Sequence, residues 1–271
     1  MKRFKLIRRL ILLLIVLSLI VLASYTYLLS PTDYSIVKES YENKNITSKL
    51  NGFKIAYISD INLTDNDSLE RLQNALSKLN ENPFDMIVFG GDLYDGSVFK
   101  TKEVSAALKS ITCKYGKFAI LGDKDQSSSL EVTQVLNNGG FEVLENEART
   151  LYYKDTTFTF IACDENQDLS QYESDDESIK ICVAHQPDSF IKNKKYVDLQ
   201  LSSHCYGGLL YIPFVGPMTK IEGATTYNHG RYEESSSTLI VSNGFSGPKE
   251  CPYKLFARNQ IHIITLKQVT S

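Results

Sequence analysis

Five short polar stretches of this 271-residue chain each follow an apolar segment, and each carries an aspartate or a histidine. They are 59–62 (SDIN), 91–95 (GDLYD), 122–125 (GDKD), 184–188 (AHQPD) and 203–208 (SHCYGG). Carboxylates and imidazoles that converge at one edge of a sheet form a natural site for divalent cations, and two cations can share a bridging carboxylate. Taken singly, an aspartate after a strand is usually a turn or helix-cap residue. The series of five predicts a metal centre.

Segments rich in apolar and β-branched residues stand directly before these stretches and predict the strands that position them. These segments are 53–59, 85–89, 117–121, 179–184 and 198–202. Amphipathic segments after the first three strands predict helices at 69–79, 101–110 and 130–137, the first with a capping box of Asp67 and Glu70. Because α/β proteins bind ligands at the carboxyl ends of strands, we expect the polar stretches to meet.

The second half of the chain is richer in predicted strands than the first. The additional strands are 141–144, 151–153, 156–162, 237–242 and 260–266, with a short helix at 187–192. The acidic stretch 164–177 has little apolar content and predicts a surface loop. The pattern as a whole indicates the α/β class.

At these residues the chain resembles the calcineurin-like metallophosphoesterase family, specifically its membrane-anchored bacterial branch. The family pattern runs D-x-H, G-D-x-x-D, G-N-H-D/E, a single H and then G-H-T-H-G-G, and its order and spacing match from Lys54 to about Leu266. The resemblance implies two facing mixed β-sheets flanked by helices, a metallophosphoesterase-like sandwich. It also implies hydrolysis of phosphomonoesters or phosphodiesters by water bound to Mn²⁺, Fe²⁺ or Zn²⁺.

The resemblance divides the metal centre into two unequal half-sites. It assigns one metal to the intact half-site, whose members can all act as ligands: Asp92, Asp123, His185 and His204. It assigns the other to the eroded half-site, where asparagine and tyrosine replace two histidines: Asp60, Asn62, Asp92 and Tyr206. Asparagine offers only a neutral carbonyl oxygen, and tyrosine must first lose a proton whose pKa is about 10. We therefore expect one bound metal rather than two.

Lys124 stands where the family has the histidine that assists the leaving group. A lysine is a poor general acid at neutral pH unless burial lowers its pKa, but a fixed cation still stabilises phosphoryl charge. We therefore assign Lys124 this catalytic role. Cys205 replaces a family threonine and is interpreted as structural, with a thiolate beside His204 as the alternative.

Two functions of different classes are compatible with these replacements of family residues. The first is an attenuated metal-dependent phosphoesterase that relies on the intact half-site. The alternative is a catalytically inactive pseudoenzyme that acts as a membrane-anchored module binding metal or phosphate. A third interpretation is that no metal binds and the polar side chains only anchor loops. The lost histidines favour the second function, whereas the intact half-site favours metal binding under the first two.

The first thirty residues predict a transmembrane helix. Residues 10–29 carry no charge and, as a helix, are long enough to cross a hydrocarbon core of about 30 Å. The basic residues before them should stay in the cytoplasm, which places the rest of the chain on the extracytoplasmic side of the cell membrane. A cleaved signal peptide is the alternative. The expected organisation is a basic tail (1–9), an anchor (10–29), a linker (30–50) and the metallophosphoesterase-like domain (51–271).

Composition narrows the range of partners. The chain has 29 basic and 32 acidic residues, and five of the basic ones lie within the first nine, so the remainder is acidic and shows no basic stripe. This argues against nucleic-acid binding. Five scattered cysteines without a CxxC pair argue against a disulfide scaffold or a zinc knuckle. The anchor favours a phosphate ester near the bilayer, including lipid-linked ones. The apolar stretch 209–215 either lines a lipid-facing groove or is a buried loop or edge strand.

Overall fold

The computed structural model describes residues 2–164, 167–173 and 178–269. Its helices are α1 (Lys2–Leu28), α2 (Asn66–Asn80), α3 (Thr101–Lys109), α4 (Ser129–Asn138) and α5 (Phe190–Asn193). Its strands are β1 (Tyr34–Asn43), β2 (Lys54–Ile58), β3 (Met86–Phe89), β4 (Lys117–Ala119), β5 (Glu142–Val143), β6 (Ala148–Tyr153), β7 (Thr156–Ala162), β8 (Lys180–Val183), β9 (Leu199–Ser202), β10 (Tyr211–Ile212), β11 (Gly216–Pro217), β12 (Gly230–Glu234), β13 (Ser237–Val241) and β14 (Asn259–Gln268).

Two six-stranded mixed sheets form the domain. The first has the order β1-β14-β2-β3-β4-β5, and the second has the order β12-β13-β9-β8-β7-β6. Strands β2 to β5 run parallel, as do β7, β8, β9 and β13, while β2–β14, β6–β7 and β12–β13 are antiparallel pairs. The predicted fold of two facing mixed sheets flanked by helices is confirmed.

Strand β2 shows how the apolar cores arise. Side chains alternate across a strand, so Ala56 and Ile58 join the core under helices α2 to α4, whereas Ile55 and Tyr57 join the core between the two sheets. Because both faces of the strand are buried, its sequence is almost continuously apolar. The same double burial makes β3 apolar at every position. Packing on both faces fixes the strand ends that carry the polar stretches.

Helix α1 stands apart from these cores. It exposes its apolar side chains along its length and is long and apolar enough to cross a membrane. The helix begins at Lys2 and therefore includes the basic residues that were expected to form a separate tail. It ends at Leu28, before Pro31, which lacks the N–H that a continuing helix needs.

The predicted linker at 30–50 contains strand β1. It pairs in parallel with β14, from Tyr34 opposite Asn259 to Asn43 opposite Gln268. Strand β1 lies at the edge of its sheet, and most of its residues are only half-buried, so its polar composition is compatible with a strand. The folded domain therefore begins near Tyr34 rather than at residue 51.

Two smaller local predictions also differ from the structure. The N-cap of α2 is Asp65, which exchanges hydrogen bonds with Ser68, so the predicted capping box of Asp67 and Glu70 is wrong. Asp67 instead lies in the first turn, where its charge complements the helix dipole. The stretch 209–215 enters an exposed hairpin of β10 and β11, so its interpretation as a buried loop is wrong. Residues 165–166 and 174–177 of the predicted acidic loop lie outside the described residues.

Candidate metal centre

The carboxyl ends of five strands meet at one edge of the two sheets. The loops after β2, β3 and β4 come from the first sheet, and those after β8 and β9 come from the second. They bring together all eight side chains singled out in the sequence: Asp60, Asn62, Asp92, Asp123, Lys124, His185, His204 and Tyr206. Their assignment as metal ligands or catalytic groups stays a prediction, whereas their proximity is observed.

The backbone of these loops is strained at the site. Five of the eight residues have left-handed φ angles between 49° and 70°: Asp60, Asn62, Asp92, His204 and Tyr206. Each such angle costs a non-glycine residue about 1–3 kcal/mol, so the surrounding structure must enforce it. Glycines allow the loops to pack this closely, since a Cβ atom on Gly122 would lie 2.2 Å from Asp92 Oδ1. Strain of this kind is concentrated at functional sites.

His185 is held with one ring nitrogen facing the acidic groups. Its Nδ1 lies 2.7 Å from the carbonyl oxygen of Gly90, and because a carbonyl only accepts, Nδ1 carries the proton and donates. The buried Nε2 forms no hydrogen bond with any residue that the structure describes, and it lies 3.5 Å from Asp92 Oδ1. Burial alone would lower the pKa of His185, but Asp92, Asp60 and Asp123 together raise it to about 10. An unpaired nitrogen beside carboxylates is suited to a cation.

His204 is held in the same way as His185, but its outer nitrogen is Nε2 and its inner nitrogen is Nδ1. Its Nε2 donates to the carbonyl oxygen of Glu222 at 2.7 Å, and its Nδ1 lies 3.0 Å from Asp123 Oδ2. The hydrogen bond with His204 is the main reason that the pKa of Asp123 falls to about 2. A backbone carbonyl on the outer nitrogen is the usual way in which proteins orient a metal-binding imidazole. Both histidines therefore present an oriented nitrogen to the same space.

The donor atoms form two triads that share His185. One contains Asp123, His185 and His204, the other contains Asp60, Asp92 and His185, and within each triad the donor atoms lie within 4.8 Å of one another. The unpaired Nε2 of His185 and Oδ1 of Asp60 are buried and lack hydrogen-bond partners in the described part of the chain. Imidazole and carboxylate donors together suit Mn²⁺, Fe²⁺ or Zn²⁺. The residues of the intact half-site thus fit a divalent cation.

The side chains of the eroded half-site form hydrogen bonds with one another and with Lys124. Asn62 Oδ1 accepts from Lys124 Nζ at 3.1 Å, and its Nδ2 donates to the Asp60 carbonyl oxygen at 3.3 Å. Burial, followed by the charges of Asp60 and Asp92, raises the pKa of Tyr206 far above its ordinary value. The phenol keeps its proton and points towards Asp92 Oδ2, 3.5 Å away. Neither replacement side chain offers an anionic ligand.

Two lysine ammonium groups lie beside the eroded half-site. Lys124 Nζ forms an ion pair with Asp95 and lies 5.3 Å from the centre of the Tyr206 ring. Lys254 Nζ lies 5.6 Å from the same ring and donates to the Asn243 carbonyl oxygen. Lys254 is buried, and desolvation lowers its pKa to about 7 against the opposing charge of Asp60. Lys254 thus places a positive charge next to Asp60 below about pH 7 and loses that charge as the pH rises.

Sequence reasoning missed Lys254 and Asp95. Lys254 is the one charged residue of the segment Pro252–Phe256, and a lysine within an otherwise apolar segment is the signal that could have identified it. Asp95 is the last residue of the stretch 91–95, and the motif gives it no role of its own. Burial raises the pKa of the Cys205 thiol to about 12, and Sγ donates to the Asn228 carbonyl oxygen, so the structure disfavours the alternative of a thiolate beside His204.

Asp125 ties two of the site loops together. Its Oδ2 accepts from the backbone N–H groups of Asp92 at 2.8 Å and Gly122 at 2.9 Å, and its Oδ1 accepts from that of Leu93 at 2.9 Å. Burial, followed by repulsion from Asp92, raises the pKa of Asp125 to about 6. This carboxyl group therefore fixes the backbone of the two loops that carry Asp92 and Asp123.

We expect Asp125→Asn to lower the free energy of unfolding by about 1–3 kcal/mol, because the new amide turns a donor towards at least one buried N–H. Urea denaturation in the presence of a chelator measures this without any contribution from metal. Asp67→Asn, on the exposed face of α2, is the matched control and should lower the free energy of unfolding by less than about 1 kcal/mol, because only the favourable charge at the helix N-terminus is lost. Equal midpoints for both variants would contradict the positioning role of Asp125.

Comparison with known proteins agrees with this geometry. The family model described as calcineurin-like phosphoesterase matches residues 53–206, which include every residue of both half-sites. A Bacillus subtilis metallophosphoesterase, YkuE, is 30% identical over 255 residues, covering 90% of this chain and 89% of that protein. The chain belongs to the calcineurin-like phosphoesterase family. The predicted family membership is confirmed.

Two further relatives of this phosphoesterase extend the comparison. A zebrafish transmembrane protein with a metallophosphoesterase domain is 24% identical over 270 residues, covering 92% of this chain and 61% of that protein. The Escherichia coli phosphodiesterase YaeI is 26% identical over 181 residues, covering 63% of this chain and 67% of that protein. The family uses divalent metals and acts on phosphate esters, so a phosphate-ester substrate and a metal cofactor follow for the domain.

Proposed function

We propose that the chain is a metal-dependent phosphoric ester hydrolase that works, with attenuated activity, through one divalent cation at the intact half-site. The observation that carries this proposal is the pair of oriented imidazoles, whose inner nitrogens face Asp92 and Asp123. A divalent cation bound there lowers the pKa of a coordinated water molecule and polarises a phosphoryl oxygen. The proposed ligands are Asp92, Asp123, His185 and His204.

The proposed role of Lys124 is to stabilise the charge of the phosphoryl group. Its ammonium is held by Asn62 and Asp95, and its backbone N–H donates to Asp92 Oδ1 at 3.0 Å. These contacts fix a positive charge beside Asp92, one of the proposed ligands, before any substrate arrives. A preorganised cation needs no rearrangement when negative charge develops on the reacting phosphate.

A cleft of about 370 Å³ beside Asn62 is the proposed binding place for the rest of the substrate. Its wall includes Arg71 and Lys249, and it extends to Pro31 and Thr32, just after α1. The Arg71 guanidinium donates to neutral oxygens only, and its Nε has no hydrogen-bond partner within the described ranges. Asp65 and Asp67 also line the cleft, so its acidic and basic residues balance. The support for a lipid-linked phosphate ester is therefore the position of the cleft beside the end of α1.

We also infer that α1 is a signal anchor and that the domain lies on the extracytoplasmic side of a cell membrane. The basic residues before residue 10 support this orientation, because such residues stay in the cytoplasm. The stack of Tyr27 on Tyr253, with ring centres 5.1 Å apart, joins the outer end of the helix to the domain. The organisation proposed is therefore an anchor at 10–29 followed directly by the phosphoesterase domain.

The test of this function is hydrolysis of a generic aryl phosphodiester by the full chain, purified in detergent without chelator and loaded with Mn²⁺. Slow turnover that a chelator abolishes and Mn²⁺ restores is the expected result. Binding of Mn²⁺ without turnover of either aryl monoesters or diesters would favour the inactive binding module, which the loss of two imidazoles at Asn62 and Tyr206 supports.

Metal affinity should rise with pH. Because the pKa of His185 is about 10 in the metal-free protein, the ring is protonated at neutral pH and must lose a proton to act as a ligand. Each bound cation then releases at least one proton, and the apparent affinity for Mn²⁺ should increase at least about tenfold per pH unit between roughly pH 6 and 8. Calorimetric titrations in buffers of different ionisation enthalpy measure this release. An affinity that is constant over this range would contradict ligation by His185.

A further inference from the structure

The hairpin formed by β10 and β11 exposes a cluster of large apolar side chains. We call these five residues the apolar tip, and their exposed fractions are 40% for Leu210, 40% for Ile212, 108% for Phe214, 75% for Val215 and 59% for Met218. Apolar residues scattered singly over a surface need no explanation, but a contiguous exposed group indicates an interaction surface. No charged residue interrupts the segment 209–219.

The hairpin is attached to the segment that receives the end of α1. Leu255 donates its N–H to the Leu209 carbonyl oxygen at 2.9 Å, and Tyr211 donates its N–H to the Leu255 carbonyl oxygen at 2.9 Å. Tyr253, two residues before Leu255, carries the ring that stacks on Tyr27 of α1. Two residues of extended chain span about 7 Å, so the base of the hairpin lies close to the outer end of the helix.

Exposed apolar side chains continue from the hairpin to the helix. Phe256 is 54% exposed, and Tyr27, Leu28 and Leu29 at the end of α1 are 64%, 67% and 55% exposed. If α1 is anchored as proposed above, these residues lie at the level of the membrane interface, where aromatic rings are favoured. The base of the hairpin therefore lies close to side chains that the proposed anchoring places against lipid.

We propose that the apolar tip inserts into the same bilayer leaflet as the outer end of α1 and forms a second membrane contact of the domain. The partner is the lipid surface, and the driving force is burial of the tip side chains among acyl chains, at about 25 cal/mol per Å² of apolar area. The contact rests on the proposed anchoring by α1 and requires neither metal nor turnover.

The second contact also sets the distance between the candidate metal centre and the bilayer. The hairpin follows directly after the loop of His204 and Tyr206, and a Cβ atom on Gly208 would lie 2.2 Å from that of Pro217. This close approach packs the hairpin against the loop that carries His204. Two contacts, at α1 and at the tip, hold a rigid domain in one orientation where a single helix would leave it free to rotate.

Tryptophan fluorescence tests this contact, because the chain contains no tryptophan. The full-length Phe214→Trp variant is placed in phosphatidylcholine vesicles, with or without bromine on the acyl chains. We expect a blue-shifted emission that the brominated lipid quenches by about half or more. Tyr152→Trp is the matched control, since Tyr152 is an exposed aromatic residue of β6, a strand at the edge of the second sheet. It should show neither effect.

Emission from Phe214→Trp that matches the Tyr152→Trp control in both respects would overturn the proposal. A blue shift without bromine quenching would also overturn it, because the tip would then be covered by protein rather than lipid. The measurement is repeated with His204→Ala added to Phe214→Trp. Unchanged quenching is expected there, so loss of the proposed enzymatic function and loss of the membrane contact are observed separately.

Discussion

Replacing His204 by alanine should abolish both metal binding and hydrolysis. His204 contributes an imidazole that the Glu222 carbonyl orients, and its Nδ1 faces Asp123 Oδ2. Loss of a residue that merely orients a ligand already costs about 10–100-fold in metal affinity, so loss of the ligand itself should cost at least about 100-fold. Mn²⁺ content after dialysis and turnover of an aryl phosphodiester measure the two effects in one preparation.

Asn62→Ala and His229→Ala are the controls for this result. Asn62 is a neutral member of the eroded half-site, so its loss should leave Mn²⁺ content unchanged and alter turnover much less than His204→Ala, through release of Lys124. His229 stacks on Tyr211 with ring centres 4.3 Å apart and belongs to neither donor triad. Full metal content in His204→Ala, or loss of metal in Asn62→Ala, would contradict the assignment of the intact half-site.

Rebuilding the eroded half-site should require removal of Lys124. In the variant Asn62→His/Tyr206→His, the Lys124 ammonium stays within hydrogen-bond distance of the side chain at position 62. An ammonium so close to a ligand repels a divalent cation strongly in a partly buried site. We therefore expect this double variant to bind one Mn²⁺ per chain. Adding Lys124→His should raise the number to two and increase hydrolysis at least about tenfold, because a two-metal site would stabilise charge on both the attacking and the leaving oxygen.

Metal content and turnover of the double and triple variants separate the effect of Lys124 from that of the two restored histidines. Two bound Mn²⁺ in the double variant would contradict the role of Lys124 as a barrier to the second cation. At about pH 7, where part of Lys254 is still protonated, one bound Mn²⁺ in the triple variant would implicate Lys254, whose ammonium also lies beside the Tyr206 ring and attracts Asp60. Lys254→Met added to the triple variant tests that directly, with the two-metal form expected.

The buried strands and the order of the site loops could be predicted from the sequence because both depend on local patterns. A strand buried on both faces is apolar throughout, as in Met86–Phe89, and polar residues begin where the strand leaves the core. The eight site residues stand at such transitions. Their convergence then follows from parallel strands that end at one edge of a sheet.

Features that depend on distant partners could not be predicted in this way. Strand β1 has the composition of a linker, and it becomes a strand only because β14, at the other end of the chain, supplies its hydrogen bonds. Lys254 approaches the site only in the folded chain, where the Asn243 carbonyl and the Asp60 charge hold it. The capping box of α2 was misplaced for a different reason, since Asp65 and Asp67 are both suitable cap residues by type.

The number of Mn²⁺ ions bound per full-length chain at saturation tests the central claim most directly. Titration at about pH 8, where proton competition at His185 is weaker than at neutral pH, should give one ion per chain, and the number should fall to zero in His204→Ala. A stoichiometry of two would show that Asn62, Tyr206 and the neighbouring lysines do not prevent a second cation. A stoichiometry of zero would contradict the metal-dependent function altogether.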